Sequence, residues 1–224
     1  MRPPARYRLL VFDWDGTLAD STAVIRRALQ RAAADLGYPV PADREASYII
    51  GMSLRPALQH AIPALRESDL PRLTERYRHH FLAGESEIAL FDGIVQLLDR
   101  LRGQGFELAI ATGKSRRGLD RALAQMGLAD RFAATRCADE GFAKPHPGML
   151  YALYERLAID PREALMIGDT THDLELAENA GSDAIGVTWG AHEVALLRGR
   201  RAVALVDSVA ELETAIGELC CHER

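Results

Sequence analysis

The sequence predicts a doubly wound parallel α/β sheet that carries an inserted all-helical domain. Three observations predict it. Five short apolar runs recur along the chain, and their near-continuous hydrophobicity suits strands buried on both faces. Segments of helical period separate most of them, which implies crossover connections and a Rossmann-like core of parallel strands covered by helices. Between the first run and the second lies a long stretch with helical segments and no convincing strand.

The first strand is expected over Tyr7 to Phe12, where β-friendly apolar residues accumulate. "STAVIRRALQRAAADLG" follows, with Val24, Ile25, Ala28, Leu29, Ala32 and Leu36 on one stripe and Ser21 as the expected N-cap. "LRPALQHAI" and "SDLPRLTERYRHHFLAG" are two further helical segments, so residues 19–89 read as a helical domain over a core formed by 1–18 and 90–224. In the core, "IVQLLDRLR" precedes the strand "FELAIA", and "SRRGLDRALAQMG" follows it. "PGMLYALYERL" precedes the strand "ALMIG", and "THDLELAENAG" follows that. Gly127 and Gly181 stand where helix C-termini favour glycine. "DAIGVT" and "AVALV" complete the strands, and the chain shows no internal repeat or low-complexity tract.

Composition bounds the function. The 224 residues are 48% hydrophobic and 26% charged, as in ordinary globular proteins. The 27 basic side chains are outnumbered by 32 acidic ones for a net charge of -5, so no global basic field draws nucleic acid or an anionic membrane. The start "MRPPARYR" is basic, but Asp13 and Asp15 break the apolar run after it, which excludes a signal-peptide core or a membrane span there and implies a cytoplasmic protein. Cys137, Cys220 and Cys221 form neither a disulfide framework nor a zinc spacing and read as reduced thiols; no role is assigned to the terminal Cys220, Cys221 and His222.

Ligands of open parallel sheets bind outside the carboxyl ends of the strands. Asp13 and Asp15 end the first strand here, Thr112 and Gly113 end "FELAIA", and Asp169 ends "ALMIG" with Asp173 a helical turn further on. Lys144 joins them from a loop, kept from helical geometry by Pro145. If the chain stays extended through residues 13–15, both carboxylates face the crevice and Trp14 turns away. Two carboxylates roughly 4 Å apart repel by about 4 kcal/mol at an effective dielectric near 20. A hard divalent cation relieves that repulsion, and an oxygen-only ligand set suits Mg²⁺. An EF-hand loop from Asp13 would need Gly and an acidic residue where Leu18 and Val24 stand, and a P-loop ending in "GKS" would need its first Gly at Leu108. Any one of these strand-end motifs alone also fits an ordinary turn; their coincidence points to function.

With those residues in view, the chain resembles the haloacid dehalogenase-like hydrolase superfamily, and within it the phosphoglycolate-phosphatase-like branch with a helical cap after the first strand. "DWDGT", "ATG", "KPHP" and "GDTTHD" look like its four motifs, in order and at strand ends. The resemblance implies that Asp13 is the nucleophile and Asp15 the acid and base. It implies Mg²⁺ held by Asp13, Asp169 and the Asp15 main-chain carbonyl, with Asp173 direct or through water. Thr112 and Gly113 would hold phosphate oxygens, and Lys144 would neutralise charge. In the helical insertion, Gly51 and Arg55 stand at a turn where such caps present a substrate contact, and Arg suits an anion.

The reading is a Mg²⁺-dependent phosphatase of a small phosphorylated metabolite, with phosphoglycolate first among substrates and a monomer or homodimer expected. Alternatives on the same scaffold are a sugar-phosphate mutase or a pyrophosphatase. The alternative from a different class is a receiver-like phospho-acceptor, which needs neither Asp15 nor a lid. Arg116 and Arg117, beside the second motif, could steer anions but read rather as surface charges at a helix start. Tyr77, His79 and His80 read as a helix face of the insertion, Trp189 as a packing or rim residue, and His146 and His172 as variable positions without a catalytic part.

Overall fold

The computed structural model describes residues 6–221, so the basic start before Arg6, the His222 end and the Cys221 side chain lie outside the described residues. The chain runs β1 (Leu9–Phe12), α1 (Thr22–Asp35), α2 (Asp43–Tyr48), α3 (Leu54–Ala61), α4 (Leu70–Gly84), α5 (Ile94–Gly103) and β2 (Glu107–Thr112). It continues through α6 (Arg116–Met126), β3 (Ala134–Cys137), α7 (Gly148–Leu157), β4 (Ala164–Gly168), α8 (Thr171–Ala180), β5 (Asp183–Val187), α9 (Val194–Arg198), β6 (Ala204–Val206) and α10 (Val209–Cys221).

The six strands form one parallel sheet in the order β3-β2-β1-β4-β5-β6. The chain builds outward from β1 through β2 to β3, then crosses back to lay β4 against the other side of β1. The switch point therefore falls between β1 and β4, the place where such sheets open a crevice. Phe12 pairs with Ile110 on β2 and with Ile167 on β4, and the Asp13 amide still donates to Ile167, so Asp13 falls opposite Gly168 and Asp169 emerges one residue further along the neighbouring strand.

Strand residues alternate between two cores, as a period of two requires. Leu10, Phe12, Leu108, Ile110 and Ile167 pack with α5, α6 and α10, while Leu9, Val11, Ala109, Ala111 and Met166 pack with α7, α8 and Leu197 of α9. All four side chains of β1 are fully buried, each contributing about 1.5–3 kcal/mol, which anchors the acidic loop that follows. Gly127 and Gly181 take the left-handed conformation at the ends of α6 and α8, as expected.

α1 to α4 pack among themselves. The expected stripe on α1 is buried except for Leu36, which is partly so, and it splits between two clusters, one with α3 and α4 and one with Ile50 and Phe81. The chain leaves and re-enters the sheet at adjacent points: the Asp20 amide donates to Ala89, the Phe91 amide to Leu18, and Ala19 bridges Leu90.

Several expectations are corrected. β1 begins at Leu9 rather than Tyr7, and the strand does not continue through residues 13–15, because Gly16 (φ 84°) folds the chain so that the amides of Leu18 and Ala19 return to the Trp14 carbonyl. β3 carried no apolar run to betray it: as an edge strand it leaves Thr135 and Arg136 half-buried. α2, α9 and α10 were also unread, the first two because they are too short for a periodic pattern. Ser21 precedes α1 but makes no side-chain cap; its hydroxyl is drawn to Asp15 instead.

Candidate active site

The loop after β1 assigns each residue of "DWDGT" a place. Asp13 is fully buried, Trp14 turns into the core beside α5 as expected, and Asp15 reaches a cleft between the sheet and the insertion. Gly16 must be glycine twice over. Its φ is left-handed, and a Cβ there would stand 2.2 Å from Asp169 Oδ2. Thr17 donates from Oγ1 to Asp169 Oδ1 at 2.7 Å.

Motif by motif, the tips of three strands converge. Asp13, Asp169 and Asp173 are all buried, and one carboxylate oxygen of each lies within 4.8 Å of the others. Asp169 is oriented by Thr17 and by the Ala191 amide, 2.7 Å from Oδ2. Asp173 closes a capping box at the start of α8: Oδ2 accepts from the Thr170 hydroxyl at 2.7 Å and from its amide at 3.1 Å. Gly168 lets α8 approach, since a Cβ there would stand 2.3 Å from Asp173 Cβ. Lys144, on the loop before α7, sits with no exposed side-chain surface 2.8 Å from Asp13 Oδ1 and 2.6 Å from Asp173 Oδ1. Both Asp13 oxygens are buried; Oδ1 faces the Lys144 ammonium, and Oδ2 has no hydrogen-bond donor among the described residues.

The electrostatics are those of a cluster short of positive charge. Desolvation pushes the Asp13 carboxyl up to about 7; Lys144 opposes that shift and the neighbouring Asp173 and Asp15 reinforce it. Desolvation likewise raises Asp169 well above the usual carboxylate range, with Asp13 and Asp173 adding to it. Burial works against the Lys144 ammonium, but Asp13 and Asp173 outweigh it and hold the amine more basic than an ordinary lysine. Three buried aspartates against one lysine leave a formal charge of -2, the complement of one divalent cation. The donor-less Oδ2 of Asp13 and the all-oxygen set fit a hard ion such as Mg²⁺.

Asp15 is separate from that cluster. Its carboxylate accepts from the Ser21 hydroxyl at 2.6 Å and from Lys114 Nζ at 2.9 and 3.1 Å. Lys114 was weighed in the sequence only as part of a P-loop, yet it stands just past the end of β2, the position at which such sheets place functional groups. Its ammonium also lies 4.9 Å from the centre of the Phe81 ring on α4. Thr112 is buried, its Oγ1 accepting from the Lys114 amide at 3.2 Å.

Beyond Ser21 and Phe81, the insertion touches the site at two further points. A Cβ on Gly113 would come within 2.6 Å of the Gly51 carbonyl and 2.7 Å of that of Met52, so the strand-end turn and the loop 51–52 are in backbone contact. Beside this, the Tyr48 carbonyl accepts from Nε2 of both His172 and His192 at 3.0 Å, while His192 Nδ1 accepts from the Thr171 amide. His192 is thereby fixed as the neutral Nε2–H tautomer, and burial lowers the basicity of both imidazoles. His172, given no part from the sequence, thus joins the insertion to the motif after β4.

Arg55 is corrected. The buried stripe of α3 (Ala57, Leu58 and Ala61) turns it outward, where it is exposed and ion-paired with Glu67, away from the cleft. Trp189 is a packing residue, one of the two readings expected for it: it lies against the core with its ring edge-on to Phe91, its indole donating to the Thr17 carbonyl at 3.3 Å.

This fold and this arrangement of strand-end acids belong to a known class: the chain is a member of the haloacid dehalogenase-like hydrolase family, whose model matches residues 10–187. Among curated proteins it is similar to "Probable phosphatase IndB" of Dickeya dadantii, 35% identical over 211 residues that cover 91% of each chain. It is also similar to a phosphoglycolate phosphatase of Agrobacterium fabrum, 34% identical over 220 residues, 94% of this chain and 92% of that one. Among solved structures it resembles a predicted phosphatase from Clostridium acetobutylicum with a TM-score of 0.83, at 29% identity over 95% of this chain and 99% of the other. No helix among the described residues is long and apolar enough to cross a membrane.

Proposed function

We propose that the protein is a Mg²⁺-dependent phosphomonoester hydrolase working through an aspartyl phosphate on Asp13, with residues 19–89 as a cap over the site. The observation that carries this reading is the Asp13 carboxylate: at the switch point of the sheet, buried, with a buried ammonium against Oδ1 and no hydrogen-bond donor on Oδ2 among the described residues. A side chain kept so bare is a nucleophile or a metal ligand, and here it is suited to be both.

Asp13, Asp169, Asp173 and the Asp15 main-chain carbonyl would hold Mg²⁺, which when bound supplies charge neutralisation for the phosphoryl group. An Asp13 oxygen attacks phosphorus and the ester P–O bond breaks, and Asp15, having taken up a proton from solvent once Lys114 leaves it, gives that proton to the departing oxygen. Asp15, now a carboxylate, takes a proton from water; the water oxygen attacks the same phosphorus, and the bond to Asp13 breaks to give inorganic phosphate. Lys144 stays against the nucleophile throughout, and Thr112 and the Gly113 amide hold phosphate oxygens. Lys114 donates to both oxygens of Asp15, so a leaving oxygen reaches that carboxyl only after Lys114 moves off it, and the incoming phosphate is the natural new partner.

Phosphoglycolate heads the substrate panel because several similar proteins bear that name. The test is phosphate release from a panel of small esters with and without Mg²⁺, alongside Asp13→Asn. Metal-dependent release that the substitution abolishes in a folded protein is expected; near-normal turnover by the variant would overturn the assignment. A sugar-phosphate mutase, a pyrophosphatase or a receiver-like phospho-acceptor would instead show phosphate returned to the sugar, pyrophosphate cleaved in preference to any ester, or a long-lived phosphoprotein.

A further inference from the structure

The cleft that begins at Asp15 has a volume of about 420 Å³, in the range of pockets that enclose drug-sized ligands. A two-carbon acid phosphate would leave most of it to water. Its two walls differ in chemistry. The insertion supplies Ile25, Tyr77, Phe81 and Leu82, with the Tyr77 and Phe81 rings stacked 6.1 Å apart and 26° from parallel. Leu82, half exposed, is one of few large apolar side chains so open to water among the described residues. The Tyr77 hydroxyl also faces this space; burial, reinforced by Asp15, makes it a poorer acid than an ordinary tyrosine, so it stays a neutral donor.

The other wall is cationic, and its charges are not all spent. Of the four basic side chains in the cleft, Lys114 is held by Asp15, and Arg121 is held by Glu85 at 2.9 and 3.0 Å. Arg117 on α6 and Arg78 on α4 have no ion pair or hydrogen bond among the described residues, whereas Arg116 and Arg121 beside them are each paired with a carboxylate. The one other carboxylate in the cleft, Asp139, is engaged by the Arg116 amide. Two unspent guanidiniums, one on the insertion and one on the sheet side, thus flank an apolar face beyond the acid that protonates the leaving oxygen.

We propose that the substrate's leaving group is a flat apolar body bearing a second anionic group, the body lying on Tyr77, Phe81 and Leu82 and the anion taken by Arg78 and Arg117. This rests on the phosphatase reading and narrows it. An anion spanning the two arginines would tie the insertion to the core, so such a substrate would draw the cleft shut around itself. Arg78 and Arg117 are specificity-determining residues in this account, and Arg117 is no longer a mere surface charge.

Three probes separate the ideas: phenyl phosphate, 4-carboxyphenyl phosphate and 2-phosphoglycolate, assayed for phosphate release with Mg²⁺ on the full chain. The expected order of kcat/KM is 4-carboxyphenyl phosphate first, above phenyl phosphate by about tenfold, the scale of one charged hydrogen-bonded contact. Arg78→Gln and Arg117→Gln should each shrink that ratio severalfold, and Phe81→Ala should lower kcat/KM for both aryl esters relative to phosphoglycolate. Phosphoglycolate as the best of the three, or a carboxylate preference that both glutamine variants keep, overturns this inference while leaving the phosphatase reading intact. If none of the probes or the wider ester panel releases phosphate, both readings fall together.

Discussion

Lys144→Met is the sharpest perturbation of the site. The ammonium is completely buried, 2.8 Å from Asp13 and 2.6 Å from Asp173, and methionine replaces it with an uncharged chain of similar length. The formal charge of the cluster then goes from -2 to -3 with no new donor nearby. Removing one partner of a buried pair costs about 3–5 kcal/mol, because the remaining charge is left uncompensated. For a chain of this size each kcal/mol moves Tm by about 2–4 °C, so a loss of roughly 6–20 °C is expected in a chelator-treated sample near pH 8. Urea titration of both proteins should give the same m-value with a lower midpoint for the variant. The deficit should shrink near pH 5.5, where the now crowded carboxyls take up protons, and again with Mg²⁺ if, as proposed, the folded cluster binds it. A loss under about 1 kcal/mol at pH 8, or a deficit of the same size at both pH values, would refute the claim that Lys144 is there to offset buried negative charge.

Without a divalent cation, the wild-type protein should become more stable as pH falls from about 8 to 5.5. A carboxyl raised in the folded state binds its proton more tightly there than when unfolded, so the penalty is full above pH 7 and fades below it; for Asp13, moved from its ordinary value near 4 to about 7, it amounts to about 4 kcal/mol. Urea midpoints in chelator against saturating Mg²⁺ check this, and a slope of equal size in both would count against it. Gly190→Ala should weaken metal affinity by about 10–100-fold, since a Cβ there would stand 2.2 Å from Asp169 Oδ2 and turn that ligand; isothermal titration with Mg²⁺ reads it, and unchanged affinity would remove Asp169 from the ligand set. His192→Ala removes one of two donors to the Tyr48 carbonyl, a net of about 1 kcal/mol or roughly fivefold, and should raise KM by that factor with kcat little changed. A KM that does not move would deny the histidine pair any part in holding the insertion down.

The site was legible to the extent that it lies at strand ends. Asp13, Thr112 and Asp169 could be placed because a buried parallel strand announces itself by an unbroken apolar run, and the residue after it must emerge at the crevice. Asp173 followed from helical spacing, and the capping box with Thr170 is written in the local pattern. Lys114 could have been found by the same rule and was passed over because its neighbours suggested a phosphate loop. Arg55 failed because a turn before a helix says nothing about which side of that helix is buried; Ala57, Leu58 and Ala61 decided that and faced it outward.

The amino-acid order by itself determined the parallel sheet, the helical insertion after β1 and the acids that gather at its crevice, since these depend on period, run length and position relative to a strand. Only the tertiary structure decided the rest: that Asp15 is held by Ser21 and Lys114, that His172 and His192 share the Tyr48 carbonyl, and that Arg78 and Arg117 have no ion pair among the described residues. These contacts join segments separated along the chain, and no local periodicity encodes which faces of separate helices will meet across a cleft.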